Sequence, residues 1–552
     1  MSSIITAVFE VTIGLLVSKG RDKAAERLQR GDVTDQKFRG FIVREIEDIK
    51  SKLDGLARKD LFASISFFEE GIALLCDVFE NTRLTSAYDP ETTQVATGPA
   101  SSEIFSLTRA MRKLKFTDLN EATTSMLNDA KKRFERARER ATEAFVNEAL
   151  ELSERVLAMR YRIMSTILET VDNPANALAA CKLCVEDLHR VSGVKDCFTV
   201  ELKRGLRARW GKKERRELIS NVCHINRTVY DVTLMVRFGF KGELSVNWPS
   251  VDIGEERVNP LRNERVAKIL KKQNMEHCCV PWSFGQEGEV EHKLSNACGI
   301  ATNTKGYFLI ADNGDKSVKV FNRNGKFQLR FTPQTDDVQT KLQVYDVANE
   351  DVDDNIYLLV GLKKPGAEEW DSEVQIFNTN GDLQHKFSVR KWHWAARLTV
   401  SGRKVLVLAD DVIDVYEQGG EFVCTFGEER FKRAMDNTAL NDAGVVVVDR
   451  DDSCVHLFTA EGRQIAKFLL SIDGDHYYRT ACHPLGEYIV LAGHKRETRH
   501  LTVSVYTVKG EFVRRTQLNE ELSWLGGITV TIEGHIALVF EETYSNCKVI
   551  VI

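Results

Sequence analysis

The chain has 552 residues, of which 43% are hydrophobic and 28% charged, with only 9 Pro, so it is too long for one core and too apolar to be disordered, and two to four domains are expected. The formal net charge of −5 is unevenly spread: residues 280–552 carry 30 Lys and Arg against 40 Asp and Glu, and residues 1–279 carry 46 against 41. An acidic C-terminal half is a poor general match for a phosphate backbone, whose binding is largely electrostatic.

The 12 Cys have no dense, regular spacing and sit in apolar settings such as Ala297-Cys298-Gly299. That pattern reads as reduced thiols used as small hydrophobes, and the expected location is cytoplasmic. The apolar run Ile4 to Val17 lacks a basic flank, carries Glu10 and is followed by no small-residue cleavage site. It is too short to span a bilayer and reads as the buried stripe of a first helix over Ser3 to Leu28. The alternative is a helix that oligomerises or touches a membrane.

Residues 1–85 are expected to form a helical bundle. A second helix carries Phe38, Phe41, Ile42, Ile46, Ile49 and Leu53, and a third Leu61, Ile65, Phe68, Ile72, Leu75 and Phe79, each at i, i+3/i+4. Residues 86–102, with two Pro and several Ser and Thr, read as a linker. Residues 103–235 form a second α-helical domain punctuated by Ala130, Ala137, Ala141, Ala144 and Ala149, a spacing that lets helices pair closely, as in tetratricopeptide-like hairpins or an irregular bundle. Residues 236–275 are an irregular connector with Trp248-Pro249 and Asn259-Pro260. Two features of the helical half carry chemistry. Cys181, Cys184, His189 and Cys197 have ligand character, but on an apolar helix they read as core residues, and no metal is assigned. Lys203, Arg204, Arg207, Arg209, Lys212, Lys213, Arg215 and Arg216 form the one dense basic block, read as a solvated helix face, or else as a nuclear signal, lipid-headgroup patch or nucleic-acid contact.

From residue 276 to 552 the period changes to two. Alternating apolar residues, an aromatic and a Gly turn recur at Val318–Phe321 with Gly325, Val374–Phe377 with Gly381, Ile413–Tyr416 with Gly420, Val455–Phe458 with Gly462, and Val503–Tyr506 with Gly510. The glycines lie 56, 39, 42 and 48 apart, the period of a four-stranded propeller blade. A sixth copy starts at Cys547, and the sequence ends at Ile552 before its last strand. Val280 to Phe284 resembles the strand that closes the third blade, Val423 to Phe426, so the first strand is expected to complete the last blade and close the ring. The fold class is therefore multidomain, α plus all-β: a helical bundle and TPR-like helical region followed by a six-bladed β-propeller.

Gly299-Ile300-Ala301-Thr302, Gly306 to Gly314 and Val318 to Phe321 resemble the NHL repeat, and Leu525 to Val530 and Val448-Asp449-Arg450 echo parts of it. The resemblance implies a propeller like that of the tripartite-motif (TRIM-NHL) proteins, which bind protein partners or RNA through it. One Cys, Cys76, in the first 180 residues leaves no place there for RING or B-box zinc modules.

The loops leading into the innermost strands present Trp392, Trp394, Arg397, Lys432, Arg433, Tyr477, Tyr478, Arg479 and Trp524, side chains used both at protein hot spots and for stacking unpaired bases. Asp312, Asp315, Asp410, Asp411, Asp449, Asp451 and Asp452 share that face, and read singly they are turn and cap residues. Mixed charge with aromatics favours a protein or peptide ligand over RNA. No phosphate loop, GxSxG elbow or HExxH occurs, so no catalytic residue or cofactor is assigned. The expected function is a non-enzymatic interaction scaffold whose helical half serves assembly or signalling. The alternatives are an RNA-binding regulator of TRIM-NHL type, a ubiquitin-pathway adaptor without its own RING, or an innate-defence effector with a membrane-active or oligomerising first helix.

Overall fold

The computed structural model describes residues 43–44, 46–51, 58–86, 120–203, 211–239, 249–253, 256–350, 354–390, 396–401, 403–440, 444–470, 475–484, 486–495, 500–521, 523–541 and 547–552, and Val8, Val11, Thr12 and Leu15 before them. The expected first helix, apart from those four residues, and most of the linker lie outside this set. Contacts divide the chain into two compact units, 1–238 with 244–279 and 239–243 with 280–552.

The first unit is helical. The period read at Leu61, Ile65, Phe68, Ile72 and Leu75 forms α1 (Lys59–Ser86), with all five side chains buried. Helix α2 (Glu121–Val146) starts at Asn120, whose side chain accepts from Thr123 N at 2.8 Å. Ala130, Ala137, Ala141 and Ala144 line its buried face. Their small side chains let α1 close in: Ser64 donates to the Ala137 carbonyl at 2.8 Å, and a Cβ added at Gly71 would stand 2.7 Å from the Phe134 ring. Asp60 faces Arg140 and Glu70 faces Arg133, so the two helices run antiparallel. Phe68 meets Phe134 and Tyr161 edge-on, drawing in α3 (Leu152–Glu169). Helices α4 (Ala177–Arg190), α5 (Ser192–Lys203) and α6 (Lys212–Arg237) follow, then a two-stranded hairpin, β1 (Val251–Ile253) and β2 (Glu256–Val258), and α7 (Glu264–Lys271).

The second unit is a six-bladed β-propeller. Strand β3 (Trp282–Phe284) comes first. Blade 1 holds β4 (Ala297–Thr302), β5 (Phe308–Asp312), β6 (Ser317–Phe321) and β7 (Phe327–Phe331). Blade 2 holds β8 (Lys341–Asn349), β9 (Ile356–Lys363), β10 (Asp371–Phe377) and β11 (Leu383–Ser388). Blade 3 holds β12 (Ala396–Ser401), β13 (Lys404–Ala409), β14 (Val412–Glu417) and β15 (Phe422–Phe426). Blade 4 holds β16 (Ala434–Leu440), β17 (Gly444–Asp449), β18 (Cys454–Thr459) and β19 (Gln464–Leu469). Blade 5 holds β20 (Asp475–Cys482), β21 (Tyr488–Lys495), β22 (His500–Thr507) and β23 (Phe512–Glu521). Blade 6 holds β24 (Trp524–Val530), β25 (Ile536–Glu541) and β26 (Cys547–Val551), and its fourth strand is β3. The closure read from the sequence is there: Val549 pairs with Phe284, Ile550 with Ser283 and Val551 with Trp282. The segment Gly361 to Glu373 lengthens the β9–β10 hairpin, with Asp371 opposite Leu362, and half-buried Trp370 packs against Gly361.

The repeating glycines have two jobs. Gly325, Gly381, Gly420, Gly462 and Gly510 all adopt positive φ, between 71° and 91°, which a hairpin turn needs and side chains resist. Each also abuts an aromatic from the preceding blade's last strand: Phe284, Phe331, Phe387, Phe426 and Phe468, 2.5–2.8 Å from where a Cβ would stand. Blade spacing is thus set by a ring seated on a bare turn.

A second device holds the inter-blade loops. Each third strand carries a buried residue at one register position: Lys319, Gln375, Asp414, His456, Ser504 and Ile550. In blades 1 to 4 it meets the loop arriving from the preceding blade. Lys319 donates to Lys293 O, Gln375 exchanges two bonds with Gln334, Asp414 pairs with Arg390, and His456 receives the Phe431 ring edge-on at 5.1 Å.

Candidate binding face of the propeller

Along the propeller's axis, the innermost strands bring together a group of charges that the sequence reading had assigned only in part. Five of the six innermost strands bulge near their start, at Ala297/Gly299, Val344/Asp346, Ala434/Asp436, Tyr477/Arg479 and Leu525/Gly527. The bulges of blades 2, 4 and 5 turn Asp346, Asp436 and Arg479 to the centre, and Arg397 of blade 3 joins them. All four are buried, Arg397 with 6% and Arg479 with 3% of its surface exposed.

The quartet stitches blade to blade. Asp346 accepts from Val347 N and, across the blade boundary, from Leu398 N, both at 2.9 Å. Asp436 accepts from Thr480 N at 2.8 Å and lies 3.6 Å from Arg397 Nε. Arg479 donates to Gly526 O at 2.8 Å and to Met435 O at 3.4 Å, spanning blades 4 to 6. Blades 6 and 1 contribute glycine at this level, because a Cβ at Gly526 would stand 2.3 Å from Ala297 O and one at Gly299 2.2 Å from Asp346 Oδ1. Burial pushes the Asp346 carboxyl up to about 6 against the pull of Arg397, and it raises Asp436 against Arg479 and Arg397. Burial also lowers Arg479 to about 9, helped by Arg397 and opposed by Asp436 and Asp346. Two acids and two bases alternate over four successive blades, so the group balances its own charge.

Arg397 and Arg479, expected on the ligand face, are therefore internal. Trp524 is 48% exposed at the start of β24, with the Arg479 guanidinium 5.6 Å from its ring centroid. Lys432 and Arg433 are exposed on the loop between β15 and β16, and Lys432 Nζ reaches Asp452 at 2.5 Å. Tyr477 and Tyr478 lie in β20, while their side chains, and Trp392 and Trp394 altogether, fall outside the described residues.

The acids of this face separate into two groups. Asp312 and Asp449 are buried caps: Asp312 accepts from Ser295 N and Asn296 N, and Asp449 from Lys432 N and Arg433 N. Asp411 caps Ala434 N at 2.7 Å. Asp315, Asp451 and Asp452 sit in the turns between second and third strands, where Lys319 reaches Asp315, Arg450 reaches Asp451, and Lys432 and Lys467 reach Asp452. Among the described residues of these turns and the inter-blade loops, acidic side chains outnumber basic ones.

In the helical unit the basic block is partly spent internally. Lys203 ends α5, and Lys212 and Lys213 are exposed at the start of α6. Arg215 and Arg216 both grip Glu201, at 2.8 and 2.6 Å. Arg204, Arg207 and Arg209 lie outside the described residues. Cys181, Cys184 and His189 are core residues, His189 Nε2 lying 3.1 Å from Asn226 Oδ1. All 12 cysteines are free thiols. Among the described residues no helix is long and apolar enough to cross a membrane.

The sequence reading missed Asp346 and Asp436. Their signal is a carboxylate directly after Tyr345 or Met435 at the bulge, as Arg479 follows Tyr478.

No family model matches the chain. Over 161 residues, 29% of the chain, it is 24% identical to protein brain tumor of Drosophila melanogaster, and the match spans 15% of that protein. Among solved structures it is similar to virginiamycin B lyase from Staphylococcus aureus, with 12% identity over 47% of this chain and 95% of that one at a TM-score of 0.33. A streptogramin B lyase is similar at 10% identity over 49% of this chain and 97% of that one, with a TM-score of 0.34.

Proposed function

We propose that this chain is a non-enzymatic, cytoplasmic interaction protein that captures a protein or peptide on the loop-bearing face of its propeller, around Trp524, Lys432 and Arg433. The helical unit serves assembly or signalling. The observation that carries this reading is the pairing of Arg397 and Arg479 with Asp346 and Asp436. Two of the arginines that would have made a basic RNA track are neutralised inside the ring. The described loops are left with an excess of acids, a poor match for a phosphate backbone, and the exposed Trp524 is a side chain that protein hot spots favour. The central carboxylates are poor candidates for acid–base chemistry, because backbone N–H groups and guanidinium ions occupy them. Twelve free thiols suit a reducing compartment.

The test is affinity capture with the full-length chain, before and after ribonuclease treatment, beside Trp524→Ala and Lys432→Glu/Arg433→Glu. The expected result is a protein held by the parent chain regardless of ribonuclease and lost from both variants. Recovery of RNA whose binding declines steeply with salt, unaffected by Trp524→Ala, would overturn the reading.

A further inference from the structure

Blades 1 and 4 share one turn geometry, and blade 1 shows what it holds. Asp312 and Ser317 close the β5–β6 hairpin as Asp449 and Cys454 close β17–β18. Asp315 and Asp452 stand three residues after the first acid in each, and Lys316 and Ser453 carry the matching positive φ of 54° and 47°. In blade 1 a cation fills the space between these groups. The buried Lys319 ammonium donates to Asp312 Oδ2 at 2.9 Å, pairs with Asp315 Oδ2 at 3.0 Å and reaches Lys293 O. Arg330 and Lys467, on the fourth strands, approach the outer acids Asp315 and Asp452 in the same manner.

Blade 4 keeps both acids and exchanges the other two positions. His456 stands where blade 1 has Lys319, and Cys454 where it has Ser317. Asp449, Cys454 and His456 are all buried, and one ligand atom from each lies within 4.8 Å of the others. Cys454 Sγ is 3.2 Å from His456 Nε2, close to the separation of about 3.5 Å between a thiolate and an imidazole sharing a tetrahedral zinc ion. The imidazole Nδ1 is buried without a hydrogen-bond partner.

We propose that blade 4 holds a zinc-class divalent cation on Asp449, Cys454 and His456, in the seat that the Lys319 ammonium fills in blade 1. Thiolate and imidazole select a borderline or soft metal over Mg²⁺ or Ca²⁺. A water completes the tetrahedral set. Binding replaces the Cys454 S–H bond with a sulfur–metal bond and releases one proton to solvent.

The experiment uses the full chain without a histidine tag, exchanged into Co²⁺. The expected result is one equivalent bound with a thiolate-to-cobalt charge-transfer band, displaced by one equivalent of Zn²⁺. Cys454→Ser removes the band. The double variant Cys454→Ser/His456→Lys, which rebuilds the blade 1 arrangement, keeps the parent circular dichroism and binds no metal. A chelator then lowers the melting temperature of the parent chain but not of the double variant. Absence of the band in the parent chain, or its survival in Cys454→Ser, would overturn the proposal.

Discussion

Asp436→Ala separates a structural quartet from a ligand site. The carboxylate lies 3.6 Å from Arg397 Nε and accepts from Thr480 N at 2.8 Å. At that separation the pair attraction is about 4–5 kcal/mol for an effective dielectric of about 20. The freed Thr480 N–H adds about 1–3 kcal/mol if nothing replaces its acceptor. Burial of the carboxylate outweighs these attractions in its raised pKa, so its removal offsets them, and the loss that remains is that of the unpaired guanidinium ions and the freed N–H. The net expectation is a loss of about 3–5 kcal/mol, the usual result of removing one partner from a buried ion pair. For a domain of this size each kcal/mol moves the melting temperature by about 2–4 °C, so the propeller transition should fall by about 10 °C.

Differential scanning calorimetry of the full chain reads this shift. A cycle with Arg397→Ala should then give a coupling above about 1 kcal/mol, since the two groups are neighbours. A shift within about 2 °C, with coupling near zero and partner capture abolished, would refute the structural account and make the quartet a ligand site.

Three more outcomes follow from local geometry. Gly462→Ala should destabilise the propeller more than Gly366→Ala: both glycines have positive φ (85° and 79°), but only Gly462 has a ring 2.5 Å from the new methyl. Backbone strain alone costs about 1–3 kcal/mol, and equal urea midpoints for the two variants would discount the Phe426 seat. Burial lowers His189 to about 4 despite its Asn226 bond, so the unfolded chain binds more protons there as pH falls from about 6.5 towards 4, and stability is lost across that window. The helical unit should weaken by up to about 3 kcal/mol, a slope that His189→Gln flattens in urea titrations at several pH values. Trp524→Ala removes a half-exposed ring whose contact with the buried Arg479 guanidinium is worth about 1–2 kcal/mol, so it should abolish capture while moving the melting temperature by only a few degrees.

The blade count and the closure were legible because both are written in local chemistry. Gly325, Gly381, Gly420, Gly462 and Gly510 are demanded twice, by positive φ and by the Phe behind them, and each comes at a fixed distance after an aromatic. The central site was not legible. Arg479 looks like a loop residue after Tyr477-Tyr478, but the bulge between Tyr477 and Arg479 turns it inward. A bulge changes which face a side chain takes, and alternation read from sequence cannot place it. Arg215 and Arg216 were read as surface charge for a related reason: their partner, Glu201, lies on another helix, and nothing in the block itself points to it.

The propeller separates the fixing of its loops from what those loops display. Asp312 and Asp449 each hold two consecutive backbone N–H groups of an inter-blade loop, while Gln375 and Asp414 hold the next loops from below. The anchored atoms are mostly backbone, so side chains such as Lys432 and Arg433 can change without releasing the loop that carries them. A face held this way gives up little conformational freedom when a partner docks, which raises affinity without adding contact area. The same construction explains the variety at the third-strand position. Lys319, Gln375, Asp414 and His456 differ in charge and size, yet each faces the preceding loop. What the ring requires there is an attachment, and the chemistry of the attachment is open to use. Blade 4, where the attachment is an imidazole against Phe431 and the neighbouring thiol is Cys454, is the blade in which that latitude leads to a metal.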